Sequence, residues 1–426
     1  MSNFSYAAKV LKAEFCAFLD PLAKGLRRPV AKLLFDLVFG VVASGSAKLS
    51  DVARHIGDES LDSAEHRLSR AIAKNDPKPV ADALSKAALS LCPEFLCCDE
   101  SDVQKPYGKA FEGLDAVQDG SADGRPIGKG YHVVCVAGIA GRNSPMPLCL
   151  WAYSGRSEGF ESQLREHEKL FPKKAPGKAI AMDRGYDSKA FMSLCRERGI
   201  DFVIRAKSMR KYQAPSAKSK ARRDCFQTAD SIKGRYAFFF REPGKPGAVE
   251  VKASAVWVTH EDIGGAWLLV ERFPDEREPR CYLTSIDCST RAGCERALKA
   301  YRLRWRIEEC FRFMKGCLDM EGFRVRSLNA ANWVLLAVCA ATALLSFIAS
   351  SRSPAYWQCR NVFRSFEPEM SDEAIVKSNG HISIELYRLA RGAARILSHC
   401  KKPTPKGRDR RRRQPIQLLL DDELFG

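Results

Sequence analysis

The chain has 426 residues, 45% hydrophobic and 28% charged, the make-up of an ordinary globular protein long enough for two to four domains with well-filled cores. Its 69 Lys and Arg against 51 Asp and Glu leave a formal charge of +18. Such an excess favours a polyanion, because each phosphate neutralised releases condensed counterions. Nucleic acid is the first candidate and an acidic membrane surface the competitor.

The 16 cysteines are scattered and form no Cys-x-x-Cys pair, so the reading is a reduced, cytosolic protein rather than a disulfide scaffold. The seven histidines lack metal-ligand spacing, which argues against zinc. Lys9, Lys12 and Glu14 interrupt the N-terminal apolar residues, so no secretory signal is read there. The one membrane candidate, 333–349, is short for a span and holds Thr342 and Ser346; it reads as a buried core helix.

In chain order, residues 1–90 read as helical, with Val30, Leu33, Leu34, Leu37, Val38 and Val41 at helical spacing. Ser50 is placed to cap a short helix to 56, and a second helix over 62–73 carries His66, Arg67 and Arg70. Two such helices suit either a helix-turn-helix whose second helix reads DNA or a plain helical bundle.

From 93 the texture becomes α/β, and a sheet with helices packed on it is expected. A short apolar run at 95–98 ends in Asp99, and another at 179–182 ends in Asp183. Strands are expected at 131–141, 147–153 and 202–204, and helices at 159–170 and 188–198. A β-rich insertion follows over 205–287, with strands at 236–240, 249–257, 266–271 and 281–285. Its entry is basic, from Arg205 and Lys207 through Lys218, Lys220, Arg222 and Arg223, which suits a solvated loop or a phosphate-tracking surface. A long helix is expected from 289 to 315, then helices at 330–350 and 383–398. The tail, 401–413, carries eight Lys and Arg against Asp409 and is expected to be disordered when free.

The chemistry concentrates in the long helix. At about 100° per residue, Tyr301, Arg304, Glu308 and Lys315 fall on one stripe roughly 60° wide, beside a core face of Leu303, Ile307, Phe311 and Met314. Arg304 and Glu308 could be only a solvated i,i+4 pair. Two strand-end aspartates weigh against that, since open α/β sheets place ligands at carboxyl-terminal strand edges. Three converging acids would repel one another unless cations lay between them, and such hard oxygen donors suit Mg²⁺ or Mn²⁺. Two such ions could activate a water or 3′ hydroxyl and stabilise the leaving oxygen of a phosphodiester. Asp102 competes with Asp99 as first acid, and Asp99 is preferred because it directly follows the apolar run. Asp187 and Glu309 are expected at the surface or behind the ligands, and Trp305 in packing.

The spacing Y-(2)-R-(3)-E-(6)-K formed by Tyr301, Arg304, Glu308 and Lys315 resembles that of the bacterial insertion-sequence DDE transposases defined by this pattern. The likeness extends to Asp99, to Asp183 in its Asp-Arg-Gly-Tyr-Asp run, and to the β insertion, over about 30–350. It implies an RNase H-like catalytic domain over 91–325 with the insertion at 205–287. A helical N-terminal DNA-binding domain (1–90), a C-terminal helical region (326–400) and the basic tail (401–426) would flank it. It also implies that Asp99, Asp183 and Glu308 bind two Mg²⁺ ions, with Mn²⁺ as substitute, while Tyr301, Arg304 and Lys315 hold DNA phosphates. The implied activity is cut-and-paste transposition: nicking, hairpin formation and joining of 3′ ends to target DNA. Partners would be the terminal inverted repeats, target DNA and a second copy of the chain, in the bacterial cytoplasm. Some relatives stack a flipped base on a tryptophan before the glutamate helix; here Tyr282 or Trp267 would substitute. An RNase H-like nuclease or resolvase and a catalytically inactive DNA-binding relative are the alternatives.

Overall fold

The computed structural model describes residues 2–400 apart from 58, 93, 109, 119–123, 125, 142–143, 214–221, 233–234, 242–247, 262 and 380–382. The basic tail, with Lys218 and Lys220 of the insertion's entry, lies outside the described residues.

Five helices open the chain: α1 (Ser2–Ala23), α2 (Arg28–Ser44), α3 (Leu49–Ala53), α4 (Leu61–Lys74) and α5 (Lys78–Ser90). Pro29 lies in the first turn of α2, where it costs no hydrogen bond, and Gly45 ends that helix in the left-handed region at φ 66°. Ser50 lies inside α3 rather than capping it, and the cap position belongs to Lys48. Ser60 caps α4 by accepting from the Ser63 amide.

The middle of the chain alternates: β1 (Phe95–Gln104), β2 (Asp115–Gln118), β3 (Ile127–Ala140), β4 (Ser144–Tyr153), α6 (Gln163–Glu168), β5 (Ala179–Met182), α7 (Lys189–Glu197) and β6 (Asp201–Arg205). The helix expected over 159–170 shrinks to α6. Then come β7 (Lys211–Tyr212), β8 (Arg223–Asp224), α8 (Cys225–Asp230), β9 (Tyr236–Arg241), β10 (Ala248–His260), β11 (Gly264–Arg272) and β12 (Arg280–Thr284). The chain closes on α9 (Arg291–Leu303), α10 (Trp305–Cys317), α11 (Leu328–Ser351), α12 (Pro354–Phe366), α13 (Asp372–Asn379) and α14 (Ile384–Leu397).

One mixed sheet organises this order: β2-β3-β1-β5-β6-β12-β11-β10-β9, with β4 also paired to β3. β1, β5 and β6 run parallel, and every other pairing in the sheet is antiparallel. The central parallel strands are buried apolar runs because helices cover both faces. The β-rich insertion does not stand apart. β12 pairs with β6, so β9–β12 extend the central sheet. β3 crosses β1 closely at Gly130, where a Cβ would lie 2.2 Å from the Val103 carbonyl oxygen.

α11, the expected buried helix, is long and apolar enough to cross a membrane, yet 89% of its most apolar window is buried inside the protein. Polar pins fix it there. The Asn332 side chain accepts from the Ala152 amide (2.7 Å) and donates to its carbonyl (3.1 Å), and the Trp333 indole donates to the Asn75 carbonyl (2.8 Å). α1, α2, α11, α12 and α14 share one core with the sheet, including Phe15, Phe35, Phe39, Trp333 and Tyr356.

Candidate active site

The parallel registers pair Cys98 with Met182 and Met182 with Ile204. The next residues on the three strands, Asp99, Asp183 and Arg205, therefore fall side by side at one carboxyl-terminal edge. The expectation that Asp99 ends its own strand does not hold, because β1 continues to Gln104 along β3. It lies where the parallel neighbour β5 stops, which opens the same edge. Asp183 leaves β5 into a short 3₁₀ turn over Arg184–Tyr186, and its carboxylate accepts from the Gly185 amide at 2.7 Å.

The single long helix expected over 289–315 is two helices. Arg304 ends α9 and begins α10, with amide bonds of 3₁₀ type from Arg304 to Tyr301 and from Ile307 to Arg304. The guanidinium at this joint donates to Asp99 Oδ2 (3.1 Å) and to Glu308 Oε1 (2.9 Å), so one fork ties together two acids 209 positions apart. Burial, and repulsion from Asp183 and Glu308, push the Asp99 carboxyl up to about 7 against the opposing pull of Arg304. Ile307, Cys310, Phe311, Phe313 and Met314 are buried, a broader core face than the wheel gave.

The remaining candidates divide. Tyr301 lies next to Arg304, its ring 5.8 Å from the guanidinium and 4.4 Å from the ring of Tyr282. Lys315 reaches further along β1, to Asp102 (3.6 Å) and Glu321 (3.1 Å). Asp102 is thereby paired with a cation and also accepts from the Gln104 amide group at 2.7 Å, whereas Asp99 is the acid facing Arg304. Glu309 pairs with Arg306 at 2.7 Å, away from the trio.

Two expectations are overturned, Tyr282 as a base-stacking residue and Trp305 in packing. Tyr282 is 2% exposed and donates its hydroxyl to Glu271 (2.6 Å), which Arg302 also holds; a buried, engaged phenol has no face for a base. Trp267 packs edge-on against Trp257. Trp305 is not packing but 44% exposed, 5.6 Å from the Arg304 guanidinium. Asp187 takes the second of its two expected places, fully buried behind the Asp183 turn. It accepts from the Lys207 amide (2.8 Å), and Arg210 Nη2 stands 2.9 Å from its Oδ1, folding the segment after β6 back onto the Asp183 turn.

Two features were missed in the sequence. Glu100, beside Asp99 on the opposite face of β1, accepts from Tyr153 (2.9 Å) and Gln163 (2.6 Å) and pairs with His132 (2.8 Å). In the sequence Arg205 stands only as part of a basic run. Its signal was there: like Asp99 and Asp183, it directly follows a short apolar strand.

The donor chemistry fits a hard divalent cation: three carboxylates, one raised by burial and further by repulsion from the other two. The spacing is held by Arg304, and among the described residues no three His, Cys, Asp or Glu side chains stand close enough together to hold a metal ion. Holding one would require Arg304 to release Asp99 and Glu308.

No curated protein matches the chain. Residues 154–344 match the family described as Transposase DDE domain. That segment contains Asp183, Tyr301, Arg304, Glu308 and Lys315, whereas Asp99 is joined to it only by folding. The match supports a DDE transposase family for this mixed α/β chain, and with it a transposase function in general terms.

Proposed function

We propose that the chain is a cut-and-paste DNA transposase of the Tyr-Arg-Glu-Lys group, cleaving transposon ends and joining their 3′ hydroxyls to target DNA by Mg²⁺-dependent phosphoryl transfer. The observation that carries this reading is the Arg304 fork, which draws Glu308 and Asp99 together at the sheet edge where Asp183 emerges. The order β4-β3-β1-β5-β6, antiparallel then parallel, supports an RNase H-like catalytic domain. Asp99, Asp183 and Glu308 would hold the Mg²⁺ ions, which when bound supply charge neutralisation at the scissile phosphate and a more acidic attacking hydroxyl. Arg304, once released from the acids, would turn to a DNA phosphate, with Tyr301 beside it and Lys315 further along.

The N-terminal helices support a DNA-recognition role. An open cleft of about 500 Å³ runs along α4, lined by Ser63, His66, Arg67, Arg70 and Lys74. Arg67 is tied to buried Asp36 (2.7 Å) and to Glu59, which leaves Arg70 and Lys74 as the exposed cations of that cleft, beside exposed Asp62, Ser63 and His66. Two transposon ends must be held together, so a homodimer is the expected assembly on DNA, in the bacterial cytoplasm.

Glu308→Gln tests the reading. The variant should bind DNA carrying the element's terminal repeats as the parent does and give no strand cleavage in Mg²⁺. Full cleavage by the variant would remove Glu308 from the site. Products that are only nicked, without hairpins or joined strands, would identify a nuclease instead.

A further inference from the structure

We propose that Arg205 is a DNA-phosphate ligand of the active-site edge, a role that rests on the transposase reading and extends its cationic wall. Three observations carry it. The register of β1, β5 and β6 sets Arg205 third in line after Asp99 and Asp183. Its guanidinium lies over the Tyr282 ring at 5.4 Å, and that ring packs on Tyr301 at 4.4 Å and 51°, so the cation sits on a tilted aromatic pair next to the Tyr-Arg-Glu helix joint. Among the described residues, no hydrogen-bond acceptor or carboxylate pairs with its guanidinium.

The last point separates Arg205 from Arg304, Lys315, Arg210 and Lys207; exposed Arg184 on the Asp183 turn shares it but, among the described residues, has no aromatic ring to orient it. Arg304 is shared by Asp99 and Glu308, Lys315 by Asp102 and Glu321, and Arg210 is spent on Asp187. Lys207 donates to the Asp187 carbonyl at 3.1 Å. Arg205 is half-buried, oriented by a ring that cannot neutralise it, and bordered by the acids. A planar, permanently charged fork held in this way matches a phosphodiester oxygen pair, and the stacking lowers the entropy lost on binding. A strand running along the edge past Asp99 and Asp183 would meet Arg205 next.

The test uses the full chain in EDTA with a fluorescein-labelled duplex of about 30 base pairs, its affinity followed by anisotropy between about 50 and 300 mM NaCl. Arg205→Ala should weaken binding several-fold and reduce the slope of log affinity against log salt by about one, the signature of one lost phosphate contact. Arg205→Lys, which keeps the charge, should retain the slope. Thermal midpoints are recorded in parallel, because a purely structural arginine would lower the midpoint and leave the slope alone; that result overturns the proposal. Arg70→Ala on α4 serves as comparison. If it lowers the slope while Arg205→Ala does not, Arg205 is refuted and the DNA-binding reading stands. If the parent protein shows no salt-dependent binding at all, both fall.

Discussion

Removing the Arg304 guanidinium should unsettle the site in a way that magnesium repairs. Arg304 is 12% exposed, and its partners Asp99 and Glu308 are 18% and 27% exposed, so the trio is shielded but not dry. Truncating one member of a buried ion pair typically costs about 3–5 kcal/mol, because the surviving charge is left uncompensated. Two acids are orphaned here, but water reaches both, and Asp99 can take up a proton because its carboxyl is already raised to about 7. About 3 kcal/mol is therefore expected for Arg304→Ala in EDTA. With an unfolding entropy of roughly 2 cal/mol/K per residue over about 400 residues, that is a fall of about 3–4 °C in thermal midpoint. Adding a few millimolar Mg²⁺ should return part of the loss, since an ion that binds only the folded acids stabilises by mass action. Scanning calorimetry of parent and variant, with EDTA and with Mg²⁺, measures both effects. A variant as stable as the parent in EDTA, or one whose midpoint ignores Mg²⁺, would refute the account of Arg304 as the cation holding this cluster together.

Asp187→Asn keeps the side-chain volume but takes away the charge facing Arg210; a loss of about 3 kcal/mol is expected, with faster hydrogen exchange at the Lys207 amide that Asp187 accepts from. Unchanged protection at that amide would show that the clasp does not hold the segment. Glu100 holds His132 above its ordinary value, chiefly through their 2.8 Å contact. A base raised in the fold stabilises it fully below about pH 6.5 and loses that contribution as pH rises through the raised value. The midpoint difference between parent and His132→Gln should accordingly be larger near pH 6 than near pH 8.5; a difference independent of pH would exclude this pairing as its source. His167, buried and lowered, has the opposite sign and is common to both proteins, so it cancels in the comparison.

Much of the site was legible because its residues obey local rules. Asp183 follows an apolar run that could only be a buried strand, and Glu308 shares a helix turn with Arg304, a spacing that needs no tertiary information. The helix wheel failed where it assumed continuity: the joint at Arg304 re-aims the guanidinium, and nothing in the pattern Tyr-Arg-Leu-Arg-Trp breaks helical propensity. Trp305 and Tyr282 show the same limit from the other side. Both are aromatic and near the helix start, yet one is exposed and the other sealed, because burial depends on which strands arrive from elsewhere. The β insertion was read correctly as strands, while its fusion to the central sheet through β12 and β6 could not be read, since pairing partners lie about 80 residues apart.

From the sequence alone came the element types, the basic charge, the three acids and the Tyr-Arg-Glu-Lys spacing, all of which depend on neighbours within a turn or a strand. Tertiary structure alone decided that Asp99 lies inside β1 at the point where β5 stops, that Asp187 is a buried clasp, and that Arg205 stands in line with the aspartates. Those outcomes follow from strand register across the sheet, and register is set by the packing of the whole core rather than by any short stretch of chain.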